Sequence, residues 1–171
     1  MKLLRYKDGN LVKPGILDKE NKVRNLSSLA EDWNNVTVST ENLGRMKNTD
    51  LSSMPIVDEG FTFAPCIAGV GKFICIGLNY SDHAAETGQE VPKEPIMFMK
   101  ATSAICGPND DIIIPKNSLK SDWEVELGVI IGKETKHIEE KQSQDHIAGY
   151  CVVNDLSERE FQLEHYGQWV K

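Results

Sequence analysis

The sequence predicts an α+β, β-rich fold: a roll or barrel of strands preceded by a small N-terminal lobe. Three observations carry that expectation. Five strongly apolar runs of strand length, KFICIGLNY, PIMFMKA, DIIIP, WEVELGVIIG and AGYCVVND, follow one another in the second part of the chain, separated by Pro, Gly, Asn and Asp. Only one long helical pattern accompanies them, from about Leu156 to Tyr166, which argues against a doubly wound parallel sheet. Composition also changes near residue 60, which sets the expected organisation: a lobe over 1–65 and a second domain over 66–171.

In the lobe, LLRY, LVKPGILD and VRNL read as short strands joined by the polar turns KDGN and KENK. SSLAEDW and TENLGRM read as short helices with Ser or Thr at the cap, and 47–60 is polar and irregular. The chain has 171 residues, 40% hydrophobic and 26% charged, the composition of one globular domain with a real core. A net charge of −7 argues against a general nucleic-acid binder, which needs Lys and Arg in excess on one face. No apolar run approaches the ~20 residues of a membrane span, and MKLLRYKDGN carries no long apolar stretch of a secretory signal. The four cysteines (Cys66, Cys75, Cys106, Cys151) have no CxxC spacing and read as free, buried thiols of a reducing cytosol. AGVGK at 68–72 is not a P-loop, because Cys66 and Phe73 occupy two of its required positions.

The chemistry-bearing residues sit in three places. In DWEVELGVIIG, Glu124 and Glu126 share one face of a predicted strand, roughly 6.5–7 Å apart at Cα, while Trp123, Val125 and Leu127 take the other. The apolar residues suit a buried strand. Two partly desolvated carboxylates then require a positive partner: Lys, Arg or a hard dication. An edge strand with its polar face in water is the alternative. Asp155 ends the run AGYCVVND, and Asp155, Arg159 and Gln162 are spaced to share one face of the helix that follows. Ser157 and Glu160 have capping-box spacing, so part of that pattern also fits a plain helix start. In GLNYSDHAAETG, His83 and Glu86 are three apart on a helical turn, as in a water-activating dyad, or as in an ordinary solvated pair.

Together, FICIGLNYSDHAAE, EPIMFMKATSAICGPNDDIIIP, DWEVELGVIIGK and AGYCVVNDLSEREFQ resemble the fumarylacetoacetate hydrolase family over about residues 72–171, in the family's order. The N-terminal lobe looks closest to members that act on 2,4-diketo sugar acids or carry the name ureidoglycolate lyase. The resemblance implies a mixed β-roll, usually in a homodimer; a cytoplasmic location is expected from the cysteines and the lack of a signal stretch. It implies Mg²⁺ or Mn²⁺ held by Glu124, Glu126 and Asp155, and a His83–Glu86 dyad that activates water. Arg159 and Gln162 match substrate-pocket positions, and Lys100 of the MFMK motif is a further pocket candidate. The implied reaction is hydrolysis of a C–C bond in a 2,4-diketo acid, with a small anionic 2-oxo acid as substrate. The same site chemistry suits a ureidoglycolate lyase, an isomerase or a decarboxylase of 2-oxo acids. Family members continue with a Gly-Lys-Ser type segment whose lysine assists catalysis. Lys171 falls about two residues short of it and does not inherit that role. The roll is therefore expected to be incomplete at the C-terminus, and a truncated, non-catalytic metal-binding remnant is a reading of another class. A third is a structural β-protein with solvated acidic faces, whose melting temperature would not respond to Mg²⁺.

Overall fold

A computed structural model describes residues 1–171. In chain order the elements are β1 (Lys2–Asp8), β2 (Leu11–Leu17), β3 (Val23–Asn25), α1 (Thr40–Met46), β4 (Thr62–Ala64), β5 (Phe73–Gly77), α2 (Ser81–Glu86), β6 (Ile96–Lys100), β7 (Ser121–Asp122), β8 (Val125–Ile131), β9 (Ile147–Asn154) and β10 (Ser157–Glu158). The fold is α+β and strand-rich, as expected, and every strand pairing is antiparallel. No helix is long and apolar enough to cross a membrane. The chain divides into two compact units: Met1–Val70 with Cys106–Ile112 and Val125–Asn154, and Gly71–Ile105 with Ile113–Glu124 and Asp155–Lys171.

The first unit is built on a four-stranded sheet in the order β3-β2-β1-β4. Gly9, at φ +60°, turns β1 into β2 in a backbone region that a side chain would strain. The core gathers Ile16, Leu26, Trp33 and Val38, with Ile130 of β8 and Ala148 of β9 packed against it. Trp33 is fully buried, and its indole N–H donates to the Gly15 carbonyl at 3.1 Å. SSLAEDW is not the expected helix. Leu26 and Trp33 are both sunk in the core, and Asp32 receives two bonds from Arg5, at 2.6 and 2.7 Å, so tertiary packing outweighs local helix preference. TENLGRM does form α1, capped by the Ser39 hydroxyl.

In the same unit β8 pairs with β9, Leu127 opposite Val152 and Val129 opposite Tyr150. The burial of this hairpin reverses the sequence expectation. Val125, Leu127, Val129, Ile131, Tyr150 and Val152 are all exposed, whereas Glu126, Gly128 and Ile130 face inward and are half-buried. The alternation is as predicted, but the core lies on the side of the hairpin that carries Ile130 and Ala148.

The second unit contains the β5–β6 ribbon, in which Ile74 opposes Met99 and Ile76 opposes Met97. Gly77 ends β5 beneath the Trp169 ring, where a Cβ would overlap the indole. Trp169 also meets Phe98 edge-on, with centroids 5.8 Å apart. DIIIP is not a strand: no partner strand lies beside it, and Ile113 is 90% exposed. The long helix expected from Leu156 is likewise absent. Ser157 and Glu158 pair instead with Asp122 and Ser121, and a single π-helical turn at Glu160–Glu164 follows.

Candidate functional site

A short antiparallel ladder in the second unit positions most of the candidate residues. Arg159 N donates to Lys120 O at 2.9 Å, Ser157 and Glu158 pair with Asp122 and Ser121, and Asp155 N donates to Glu124 O at 2.9 Å. The ladder therefore sets Asp155 directly across from Glu124. Buried Glu158 locks its lower end. One carboxylate oxygen accepts from Lys120 N at 2.7 Å and the other from Phe161 N at 2.8 Å. Burial pushes the Glu158 carboxyl upward, but these backbone donors outweigh it and hold its pKa below the usual glutamate value.

Like charges opposite one another on a strand pair repel, and here each acid has its own cation. Lys100, at the end of β6, forms an ion pair with Asp155 and donates to the Leu156 carbonyl at 2.9 Å. Both side chains of the pair are largely buried, 11% and 15% exposed. Arg159 forms an ion pair with Glu124 through Nη2 and reaches Asp122 through Nε and Nη2 at 3.0 Å each. Burial alone would lower the Arg159 pKa. The Asp122 and Glu124 carboxylates reverse that and hold it above the ordinary arginine value.

Gln162 is buried and accepts from Arg159 Nη1 at 2.9 Å, so both pocket candidates of the turn act on one another. Its own carbonyl accepts from Gln168 N at 2.8 Å, which ties the turn to the segment carrying Trp169. The second unit thus brings together Glu124, Asp155, Arg159, Gln162 and Lys100. His83 and Glu86 lie on α2 in the same unit, both exposed, and no hydrogen bond or ion pair joins their side chains. Glu126 lies on β8 in the first unit, opposite Val153 and half-buried.

The donors fit a hard dication in kind: they are carboxylates only, with no thiolate or imidazole beside them. The electrostatic demand fits as well, because two carboxylates placed opposite each other have drawn in two cations. Their present arrangement is another matter. No group of three or more Asp, Glu, His or Cys side chains is set to hold an ion. A cleft of about 390 Å³ in the first unit, lined by Lys7, Asp8, Asn25, Asp58 and Phe61 among others, contains none of the candidate residues.

Two features escaped the sequence reading. Asp122 is a further acid in the same alternation as Glu124 and Glu126, and the D-x-E-x-E spacing could have revealed it. The pairing of Lys100 with Asp155 spans 55 positions of sequence and has no local signal.

The family model described as fumarylacetoacetate (FAA) hydrolase C-terminal matches residues 72–171. Proteins of Burkholderia lata and Burkholderia multivorans, each provisionally named a hydrolase, are 53% identical over all 171 residues. The chain spans 61% of the length of these relatives. Among solved structures, the fumarylacetoacetate hydrolase of Exiguobacterium antarcticum matches with a TM-score of 0.80 and 25% identity, over 98% of this chain and 60% of that one. A protein of Mycobacterium abscessus described as a 2-hydroxyhepta-2,4-diene-1,7-dioate isomerase matches with a TM-score of 0.73 and 28% identity, over 99% of this chain and 58% of that one.

Proposed function

Because this chain belongs to the fumarylacetoacetate hydrolase family, we propose that the whole protein hydrolyses a C–C bond in a 2,4-diketo acid, an acylpyruvate or a diketo-deoxy sugar acid. The observation that carries the reading is the pairing of Glu124 and Asp155 with Arg159 and Lys100: acids for a cation and bases for an anion in one cluster. Glu124, Glu126 and Asp155 would hold Mg²⁺ or Mn²⁺, which supplies Lewis acidity toward the carboxylate and 2-oxo group of the substrate.

The residues of the chain perform the remaining tasks. Arg159, oriented by Gln162, presents a planar donor fork to an anionic or hydroxylated end of the substrate. Lys100 supplies a second positive charge. His83 takes a proton from water, with Glu86 turning the imidazole toward it. The hydroxide adds to C4, the C3–C4 bond breaks, and its electron pair leaves as the enolate of pyruvate. Protonation at C3 gives pyruvate and a second acid. Charge develops on that enolate in the transition state, so the cationic side chains act where stabilisation counts most. A homodimer in the cytoplasm, acting on small anionic 2-oxo acids, completes the proposal.

Isomerisation of a 2-oxo acid is a second reading, favoured by the likeness to the Mycobacterium abscessus protein described as an isomerase. Ureidoglycolate cleavage, 2-oxo acid decarboxylation and a non-catalytic remnant are the further alternatives. A Mg²⁺-dependent panel of acylpyruvates, diketo-deoxy sugar acids and ureidoglycolate in ¹⁸O-water separates them. Hydrolysis places ¹⁸O in the acid released with pyruvate. His83→Ala should reduce that turnover at least about 100-fold. Turnover near wild type would remove His83 from the role of base, and turnover without ¹⁸O incorporation would end the hydrolytic reading.

A further inference from the structure

Lys100 and Arg159 stand where the proposed ion's charge would be needed. Lys100 Nζ has Asp155 and the Leu156 carbonyl as its partners. Arg159 is held more firmly. If it let go of Glu124, its Nε bond to Asp122 and its Nη1 bond to Gln162 would remain. The pairs are therefore unequal: one base is lightly tethered, the other anchored with one arm to spare.

The charges of the cluster point to an order of events. Asp122, Glu124 and Asp155, with the Glu126 that the proposed metal set includes, contribute four negative charges, and Lys100 and Arg159 two positive ones, a balance of −2. An anionic substrate is repelled by that balance. A dication brings it to zero and removes the repulsion, so that the two released bases are left to attract the anion.

We infer that Lys100 and Arg159 are place-holders for the divalent ion: they neutralise Asp155 and Glu124 in the ion-free protein, and exchange with the ion to become the receptor for the substrate's carboxylate. This rests on the metal reading above and adds to it a coupling. The ion and the anion bind co-operatively because the same two side chains serve one and then the other. The reciprocity of coupled equilibria requires the anion to tighten the ion by the same factor.

The test follows Mn²⁺ binding by electron paramagnetic resonance, with oxalate as the anionic probe, and needs no turnover. In Lys100→Met the competitor for Asp155 is gone, so Mn²⁺ should bind about tenfold tighter or more, and oxalate should no longer tighten it fully. Lys100→Arg keeps the charge and should stay near wild type. In the unaltered protein, acetic anhydride followed by peptide mass spectrometry should show Lys100 acylated faster once Mn²⁺ saturates the site, because the ammonium has left its carboxylate. Wild-type Mn²⁺ binding with unchanged or weaker binding by Lys100→Met overturns the exchange and leaves the metal reading standing. So does Lys100 acylation that ignores Mn²⁺, which remains measurable if the Met variant does not fold. A blank Mn²⁺ titration of the wild-type protein overturns the metal reading and the exchange with it.

Discussion

Asp155 sits directly across its ladder from Glu124, joined to it by a backbone hydrogen bond of 2.9 Å. Two acids are thus held opposite one another by main-chain geometry, whatever their side chains prefer. Everything around them, Lys100 on one side and Arg159 on the other, answers that placement.

The anchoring of Arg159 can be measured as stability. Arg159→Gln removes the bonds to Asp122 and Glu124 and leaves Glu124, only 25% exposed, without its cation. A loss of about 1–2 kcal/mol is expected, allowing for solvent screening at Asp122, and appears as a lower urea midpoint. Arg159→Lys should recover only part of it, because one ammonium cannot serve Asp122, Glu124 and Gln162 together.

Glu158 makes the ladder sensitive to acid. Its pKa is lower in the folded state than in the unfolded chain, so its contribution is present above the unfolded glutamate value and is lost as pH falls through the folded one. The melting temperature of the wild-type protein should fall more steeply than that of Glu158→Gln as pH is taken from 6 to 3. Parallel curves would show that the carboxylate contributes nothing to the fold.

Gly77 leaves room for the Trp169 ring. Gly77→Ala places a methyl group in the indole, and because the ring is partly exposed it can swing away rather than deform the strand. The expected cost is about 1 kcal/mol, with red-shifted tryptophan emission as Trp169 leaves Phe98.

The cysteines are free but not buried as expected: Cys66 and Cys106 are exposed and Cys75 and Cys151 half-buried, and Cys66 is the thiol to watch in the first unit. A hydrogen bond from the Cys151 side chain outweighs burial and holds the Cys66 pKa near about 7, whereas the Cys151 thiol is pushed upward by the same bond and by burial. Iodoacetamide should modify Cys66 with half-maximal rate close to pH 7 and leave Cys151 far behind. Cys151→Ala should move that midpoint up toward the ordinary thiol value.

The strands were legible where alternation and length agreed, as in FICIG, IMFMK and VELGVII, because a period of two is a local property. The helix expected from Leu156 failed for a non-local reason. Ser157 and Glu158 found strand partners in Ser121 and Asp122, and Glu158 captured the backbone donors that a helix start would have used. DIIIP had strand composition but no neighbour to pair with. The candidate acids and bases could be named from their motifs. Which base neutralises which acid could not, since Lys100 and Asp155 meet only through the packing of β6 beside the ladder residues. The burial sense of β8 was opaque for the same kind of reason: alternation defines two faces but does not say which one meets the core.

Val125, Leu127, Val129 and Ile131 lie wet on one side of their hairpin, and Glu126 points to the other. Every square ångström of the greasy side left in water forgoes about 25 cal/mol, so the isolated chain should bind fluorescent hydrophobic dyes and clump as its concentration rises. A lid laid over that side would silence both behaviours without touching the carboxylate beneath, so the solubility of this hairpin can be engineered apart from Glu126.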